Sequence, residues 1–307
     1  MRVLVTGGTG LIGTRLVRSL RERHDEVFVL TRRLQAARDC FGTDCRIVEG
    51  DPIKPGPWMD AITDCEAVVN LAGESIFGRR WSPEFTQLLR DSRVKTTEHV
   101  VQALARKPLT SDGRPKVLVN ASAVGYYGML GDEEVTEEHS PGSDILARVC
   151  VEWEAAAQAA QPLGVRVATI RIGVVMDKEG GALQQMLRPF RMFAGGPVGS
   201  GRQWVSWIHA ADLVGIFLQA LDQSAASGPI NGTSPNPVTN KELAKALGRA
   251  LHRPSFLPTP AFILRVMLGE VATVITTGQR ALPKKALALG YTFRFPTLDA
   301  ALADLLS

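Results

Sequence analysis

The chain has 307 residues, 45% of them hydrophobic, and a formal net charge of +4. That composition excludes a disordered chain and allows one large α/β domain with a smaller appendage. Charge, Gly or Pro interrupts every apolar run well short of the roughly 18 to 20 residues a membrane span needs. The 35 Lys and Arg are scattered and form no basic stripe, which speaks against nucleic acid and leaves room for an anionic ligand.

Met1 to Val5 already reads as a strand, so no signal peptide is expected before the fold; a cytoplasmic location with no membrane partner follows. Apolar runs alternating with amphipathic stretches predict strands over 2–6, 26–31, 46–49, 66–71, 116–121 and 166–171. This is the pattern of an α/β protein with a Rossmann-type doubly wound parallel sheet. Ile12, Leu16, Val17 and Leu20 recur at helical spacing between the first two strands. Longer helices are predicted over 83–106 and 143–161. Past Gly173, Gly and Pro punctuation replaces this rhythm, which divides the chain into a nucleotide-binding domain over 1–173 and a smaller C-terminal α/β substrate lobe over 174–307. Elements of the second part are free to return to the first. Cys40, Cys45, Cys65 and Cys150 are expected as reduced thiols, and no metal site is expected because no second close-spaced Cys or His pair completes four ligands.

The dinucleotide signature is Gly7-Gly8-Thr9-Gly10-Leu11-Ile12-Gly13, set between a strand and a helix. Gly7 serves a tight turn, Gly10 lets backbone amides approach a pyrophosphate, and Gly13 lets helix and strand pack closely. The helix N-terminus adds donors and positive dipole. The competing reading is a glycine turn with no ligand. Where an NAD-preferring site usually carries Asp or Glu, this chain has Thr31-Arg32-Arg33. Arg32 is placed to grip a 2′-phosphate and Arg33 to stack on adenine or add charge, which favours NADP(H) over NAD(H). The alternative is two solvated arginines. Asp51, after the third strand, is a candidate for the adenine end. Asn70, Leu71, Ala72, Gly73 and Glu74, after the fourth, are candidates for the ribose and pyrophosphate; each could also be an ordinary turn residue.

Together these segments resemble the extended short-chain dehydrogenase/reductase superfamily. They are most similar to its atypical branch of sugar-nucleotide epimerase-like "epimerase family" proteins. The resemblance rests on TGGTGLIG at 6–13, TRR at 31–33, NLAGE at 70–74, ASAVGYYG at 121–128, WEAAA at 153–157 and RIGVV at 171–175. GGPVGSGRQ at 195–203 and WIHAAD at 207–212 extend it over nearly the whole chain. Ordinary members pair a Tyr with a Lys four residues later. Here the tyrosines are Tyr126, Tyr127 and Tyr291, and the positions four later are Leu130, Gly131 and Phe295. Counted back from Trp153, the pair falls on Leu146 and Cys150. The resemblance implies that Cys150 stands for the Lys, that Ser122 is the upstream Ser, and that Arg93 replaces a structural Asn near the cofactor.

Ser122 either polarises a carbonyl or satisfies the backbone at a strand end. Cys150 either donates a proton or is a small helix residue packed on the sheet. Tyr127 lies beyond Ser122 as a further catalytic candidate. Arg171 either binds a substrate anion or pairs with a carboxylate, and Arg202, in the glycine-rich loop 195–203, is a second candidate for a substrate phosphate or carboxylate. His209 is read as a hydrogen-bonded structural residue. Two functions remain open: an NADP(H)-dependent oxidoreductase or epimerase-like enzyme on a small or nucleotide-linked anionic substrate, and a catalytically silent NADPH-binding sensor or interaction module. A monomer or homodimer is expected in either case.

Overall fold

The computed structural model describes residues 1–307, except the side chain of Leu268. The central sheet is built from β1 (Arg2–Thr6), β2 (Glu26–Thr31), β3 (Arg46–Glu49), β4 (Ala67–Asn70), β5 (Val117–Ala123), β6 (Arg166–Ile172) and β7 (Gly228–Gly232). Its order is β7-β6-β5-β4-β1-β2-β3, with every neighbouring pair parallel. The order reverses between β1 and β4, which opens a crevice at their C-terminal ends. Successive side chains serve opposite faces: Val3 and Val5 join one buried cluster, Leu4 the other, and Val27 and Val29 alternate with Phe28 and Leu30 in the same way.

The helices, in chain order, are α1 (Leu11–Glu22), α2 (Leu34–Phe41), α3 (Trp58–Thr63), α4 (Pro83–Arg106), α5 (Ile145–Gln158), α6 (Gly181–Arg191), α7 (Ala210–Asp222), α8 (Asn240–Leu251), α9 (Ala261–Leu268), α10 (Val271–Thr276), α11 (Lys284–Ala288) and α12 (Leu298–Leu306). Leu16, Val17 and Leu20 of α1 and Leu213, Val214 and Phe217 of α7 cover one face of the sheet. Trp58, Met59 and Ile62 of α3 and Val100 and Leu104 of α4 cover the other. A separate core joins α6, α8 and α12 through Leu183, Leu187, Phe190, Leu243, Leu247 and Leu302. No helix among the described residues is long and apolar enough to cross a membrane.

All six predicted strands form, with ends moved by two residues at most, and α4 spans 83–106 as expected. It is capped by Ser82, whose hydroxyl accepts from the Phe85 amide. The helix expected over 143–161 is α5, begun by Asp144, whose carboxylate accepts from the Ala147 amide 2.9 Å away. The seventh strand is the main difference. Gly228-Pro229-Ile230-Asn231-Gly232 has the composition of a turn, and it is a strand because it needs to pair only with β6. Pro229 is tolerated there because an edge strand leaves one side unpaired. Gly228–Gly232 therefore belongs to the central sheet, and α7 packs on its face, although both lie beyond Gly173.

Candidate functional site

The turn from β1 into α1 is shaped by what its glycines leave room for. Gly7 sits at φ +66°, and a Cβ there would lie 2.9 Å from the Leu71 and Ala72 backbone. At Gly13 a Cβ would meet the Gly7 carbonyl oxygen at 2.2 Å, so helix and turn touch directly. The first bond of the helix is Thr14 N–H to Gly10 O at 2.9 Å, which leaves the Leu11, Ile12 and Gly13 amides ahead of the helical ladder. No side chain caps this end. Free amides, dipole and open backbone together form a cradle suited to an anion.

This cradle opens into a cleft of 240 Å³ at the sheet's reversal point. The structure brings Gly7, Thr9, Gly10, Thr31, Arg32, Arg33, Asp51, Leu71, Ala72, Gly73 and Glu74 to its walls, all anticipated from the sequence. The β2 tip is shaped locally: the Thr31 hydroxyl accepts from the Arg33 amide at 3.1 Å, turning the chain so that both guanidinium groups lie exposed beside the cleft. The side chains of Leu11 and Ile12 and the buried Gly13 do not line this cleft; the three residues contribute only their unpaired amides at the start of α1.

Asn70 departs from expectation. It is fully buried, accepts from the Thr6 hydroxyl at 2.5 Å, and donates to Thr97 at 2.8 Å and Asn120 at 2.7 Å. It ties β1, β4, β5 and α4 together beneath the cleft and does not line it. Arg93 is also set back. Its guanidinium lies under Gly73, 3.2 Å from where a Cβ would stand, and donates to the Glu74 and Leu89 carbonyls at 2.9 and 3.0 Å. It faces the Trp153 ring at 5.3 Å, and burial pulls its pKa down. Arg93 thus holds the Gly73-Glu74 wall in place.

Leu30, Pro52, Ile53, Ser92 and Thr96 also line the cleft. Ser92 and Thr96 carried a signal: they are polar residues four apart on the buried side of a long helix. The Ser92 hydroxyl accepts from the Glu74 amide at 3.0 Å.

The catalytic candidates form a second, deeper group that does not line this cleft. Ser122, 2% exposed, donates its hydroxyl proton to Glu154 Oε1 at 2.6 Å. Arg171 clamps the same carboxylate from both sides, Nε to Oε1 and Nη2 to Oε2, each at 2.8 Å. Its Nη1 donates to the Tyr127 hydroxyl and the Glu137 carbonyl at 3.1 Å, and its Cζ lies 3.4 Å from the Tyr126 ring centre. Tyr127 in turn donates to Asn231 Oδ1 at 2.7 Å, across to the edge strand β7. Of the two readings of Arg171, pairing with a carboxylate is the one found. Burial opposes the Arg171 charge, but the Glu154 pairing prevails and raises its pKa.

Burial pushes the Cys150 thiol up to about 12, with the Glu154 charge adding to it and Arg93 opposing. Tyr127 is likewise pushed up to about 12 by burial, against the pull of Arg171. Both are protonated near neutral pH. Arg202 is exposed on the loop after Gly201 (φ +70°), away from the cleft walls. His209 caps α7, accepting from the Ala211 amide at 3.1 Å, and stacks on Phe295 at 3.9 Å. That is the structural role its surroundings in the sequence suggested.

The profile of the NAD dependent epimerase/dehydratase family matches residues 3–231, and that of a domain family of unknown function, DUF1731, matches residues 259–305. The "Epimerase family protein SDR39U1 homolog, chloroplastic" of Arabidopsis thaliana is 47% identical over 304 residues, covering 98% of this chain and 86% of its own. The crystal structure of human epimerase family protein SDR39U1 (isoform 2) with NADPH superposes with a TM-score of 0.86 at 35% identity, covering 100% of this chain and 99% of that one. A nucleoside-diphosphate sugar epimerase from Corynebacterium glutamicum gives a TM-score of 0.79 at 32% identity, covering 100% of this chain and 58% of that one. With the glycine cradle at the reversal point and a family match from the first strand to the seventh, this chain belongs to the NAD dependent epimerase/dehydratase family.

Proposed function

We propose that this protein is an NADP(H)-dependent oxidoreductase or epimerase-like enzyme that acts, without a Tyr/Lys pair, on a small or nucleotide-linked anionic substrate. The observation that carries the reading is the cationic lip Thr31-Arg32-Arg33 on the same cleft as the uncapped glycine cradle. The amides ahead of Thr14 would hold a diphosphate and the Arg32 guanidinium a 2′-phosphate, with no carboxylate at the β2 tip to favour a free ribose hydroxyl. The NADPH in the human relative supports the choice. A bound nicotinamide supplies a hydride donor or acceptor.

The chain's own contribution to proton movement centres on Ser122. Its proton is committed to the Glu154 carboxylate and not to the backbone or a carbonyl, so Ser122 is placed to accept from a substrate hydroxyl in the oxidative direction rather than to polarise a carbonyl as the sequence suggested. Cys150, protonated at neutral pH, is limited to hydrogen-bond donation. Arg202, exposed and joined to no carboxylate within 4 Å among the described residues, is the candidate for a substrate anion.

A second reading, a catalytically silent NADPH sensor, is favoured by the burial of Ser122 and the engagement of Tyr127 and Arg171 with each other. One experiment separates the two. NADPH-loaded protein is mixed in single turnover with a panel of carbonyl compounds, and NADP+-loaded protein with a panel of nucleotide sugars. An active enzyme changes the redox state of its cofactor with at least one member, oxidising NADPH with a carbonyl or reducing NADP+ with a sugar hydroxyl, and the Ser122→Ala variant slows it. No change in either cofactor form across both panels favours the silent sensor.

A further inference from the structure

Two segments outside the cofactor cleft are cationic and carry no acidic residue between their ends. Residues 180–202 and 243–269 contain seven Lys or Arg and no Asp or Glu, with Glu179, Glu242 and Glu270 standing just outside their ends. The fold lays these segments side by side. Leu257 N–H donates to Gly195 O at 3.1 Å, Thr259 N–H to Pro197 O at 2.9 Å, and Gly199 N–H back to Thr259 O at 2.9 Å. At Gly196 there is no room even for a Cβ, which would lie 1.9 Å from the Leu257 carbonyl oxygen. They therefore form one continuous face of the C-terminal lobe.

That face is apolar where burial would be expected. Phe256 is 74% exposed, Val266 72%, Met192 71%, Phe262 69%, Met267 68% and Phe193 58%. Isolated exposed hydrophobics are ordinary, but half of the chain's large exposed ones gather here. The helix α9, Ala261–Leu268, carries apolar residues on every side and buries none of the described ones. Among them stand the exposed cations Arg188, Arg191, Lys245, Arg253 and Arg265. Arg253 lies 4.5 Å from the Phe193 ring centre, at the edge of a shallow groove of 710 Å³ that Lys245, Arg249 and Phe256 also line. Of the cations on this face, only Arg249 has a carboxylate partner among the described residues, Asp299 at 2.7 Å.

We propose that this face docks on an anionic lipid surface, inserting Phe256, Phe262, Val266 and Met192 at the headgroup level with the surrounding arginines on lipid phosphates. Protruding aromatic and aliphatic side chains among cations that outnumber the neighbouring carboxylates fit that partner, because the two attractions add. A second copy of the chain fits it poorly: a two-fold contact would set this like-charged face against itself. The absence of a spanning helix led to the expectation of no membrane partner, yet a peripheral interface needs no span. The inference is independent of the cofactor reading.

Vesicle flotation of the full chain tests it, using phosphatidylcholine alone and phosphatidylcholine mixed with phosphatidylglycerol, at low and high salt. Flotation is expected with the anionic vesicles only, weakening as salt rises. Two triple variants, Arg188→Glu/Arg191→Glu/Arg253→Glu and Phe256→Ser/Phe262→Ser/Val266→Ser, change exposed side chains and should keep the wild-type melting temperature. Each should reduce partitioning at least about tenfold. No flotation of the wild type on anionic vesicles would overturn the proposal, as would undiminished flotation of both variants. A dimer seen by light scattering that both variants dissolve would assign the face to a second copy and overturn it too.

Discussion

Glu154 gives the sharpest test of the buried network. Glu154→Ala removes the carboxylate that accepts from Ser122 at 2.6 Å and from Arg171 at 2.8 Å twice. Arg171, 3% exposed, is then left with a buried charge and no counter-ion. Breaking one side of such a pair costs about 3–5 kcal/mol, because the stranded guanidinium keeps its desolvation penalty. For a chain of this size that corresponds to a melting temperature lower by roughly 5–8 °C. Replacing both partners, as Glu154→Leu with Arg171→Met, removes the charge along with its partner and should recover most of the loss, to within about 2 kcal/mol of wild type. Urea denaturation of Glu154→Leu, of Arg171→Met and of the double variant supplies the cycle. A single-variant cost below about 1 kcal/mol, or a double variant as unstable as the two losses added, would refute the buried-pair reasoning.

The other expectations concern the cleft and the thiols. Gly13→Ala drives a Cβ to 2.2 Å from the Gly7 carbonyl, so the turn and helix must part; NADPH affinity, read by fluorescence titration, should fall at least about tenfold, and unchanged affinity would contradict the packing argument. Burial raises Cys150 and Tyr127 from ordinary values of 9.0 and 10.0 to about 12, so the folded chain keeps protons that the unfolded chain releases. Their contribution is complete below pH 9 and is lost as pH rises toward 12, so urea midpoints should fall across that window. For the same reason iodoacetamide on the native protein should label exposed Cys40 and spare Cys150.

The features that local chemistry dictates were readable in advance. The glycine spacing, the basic β2 tip and the period-2 apolar runs each specify a conformation through neighbours a few residues away. Long-range pairings were not readable. Nothing around Asn231 announces that Gly228–Gly232 is a strand, because its edge pairing with β6 and the Tyr127 bond come from residues far along the chain. Asn70 looked like a cofactor ligand because it ends a strand at the right rim; its amide is instead consumed by Thr97 and Asn120. Arg171 lay at the same rim, and only the fold shows that Glu154 occupies it. The apolar stretch of α9 has the composition of a core helix, yet the structure leaves it exposed.

The most direct test of the central claim is calorimetric titration of nucleotide-free protein with NADPH and with NADH, repeated on Arg32→Ala/Arg33→Ala. If the guanidinium lip holds the extra phosphate, NADPH should bind about 10- to 100-fold more tightly than NADH, and the double variant should lose that preference, its NADPH affinity falling to that of NADH. Equal affinities in the wild type, or a preference that survives the double substitution, would contradict the account.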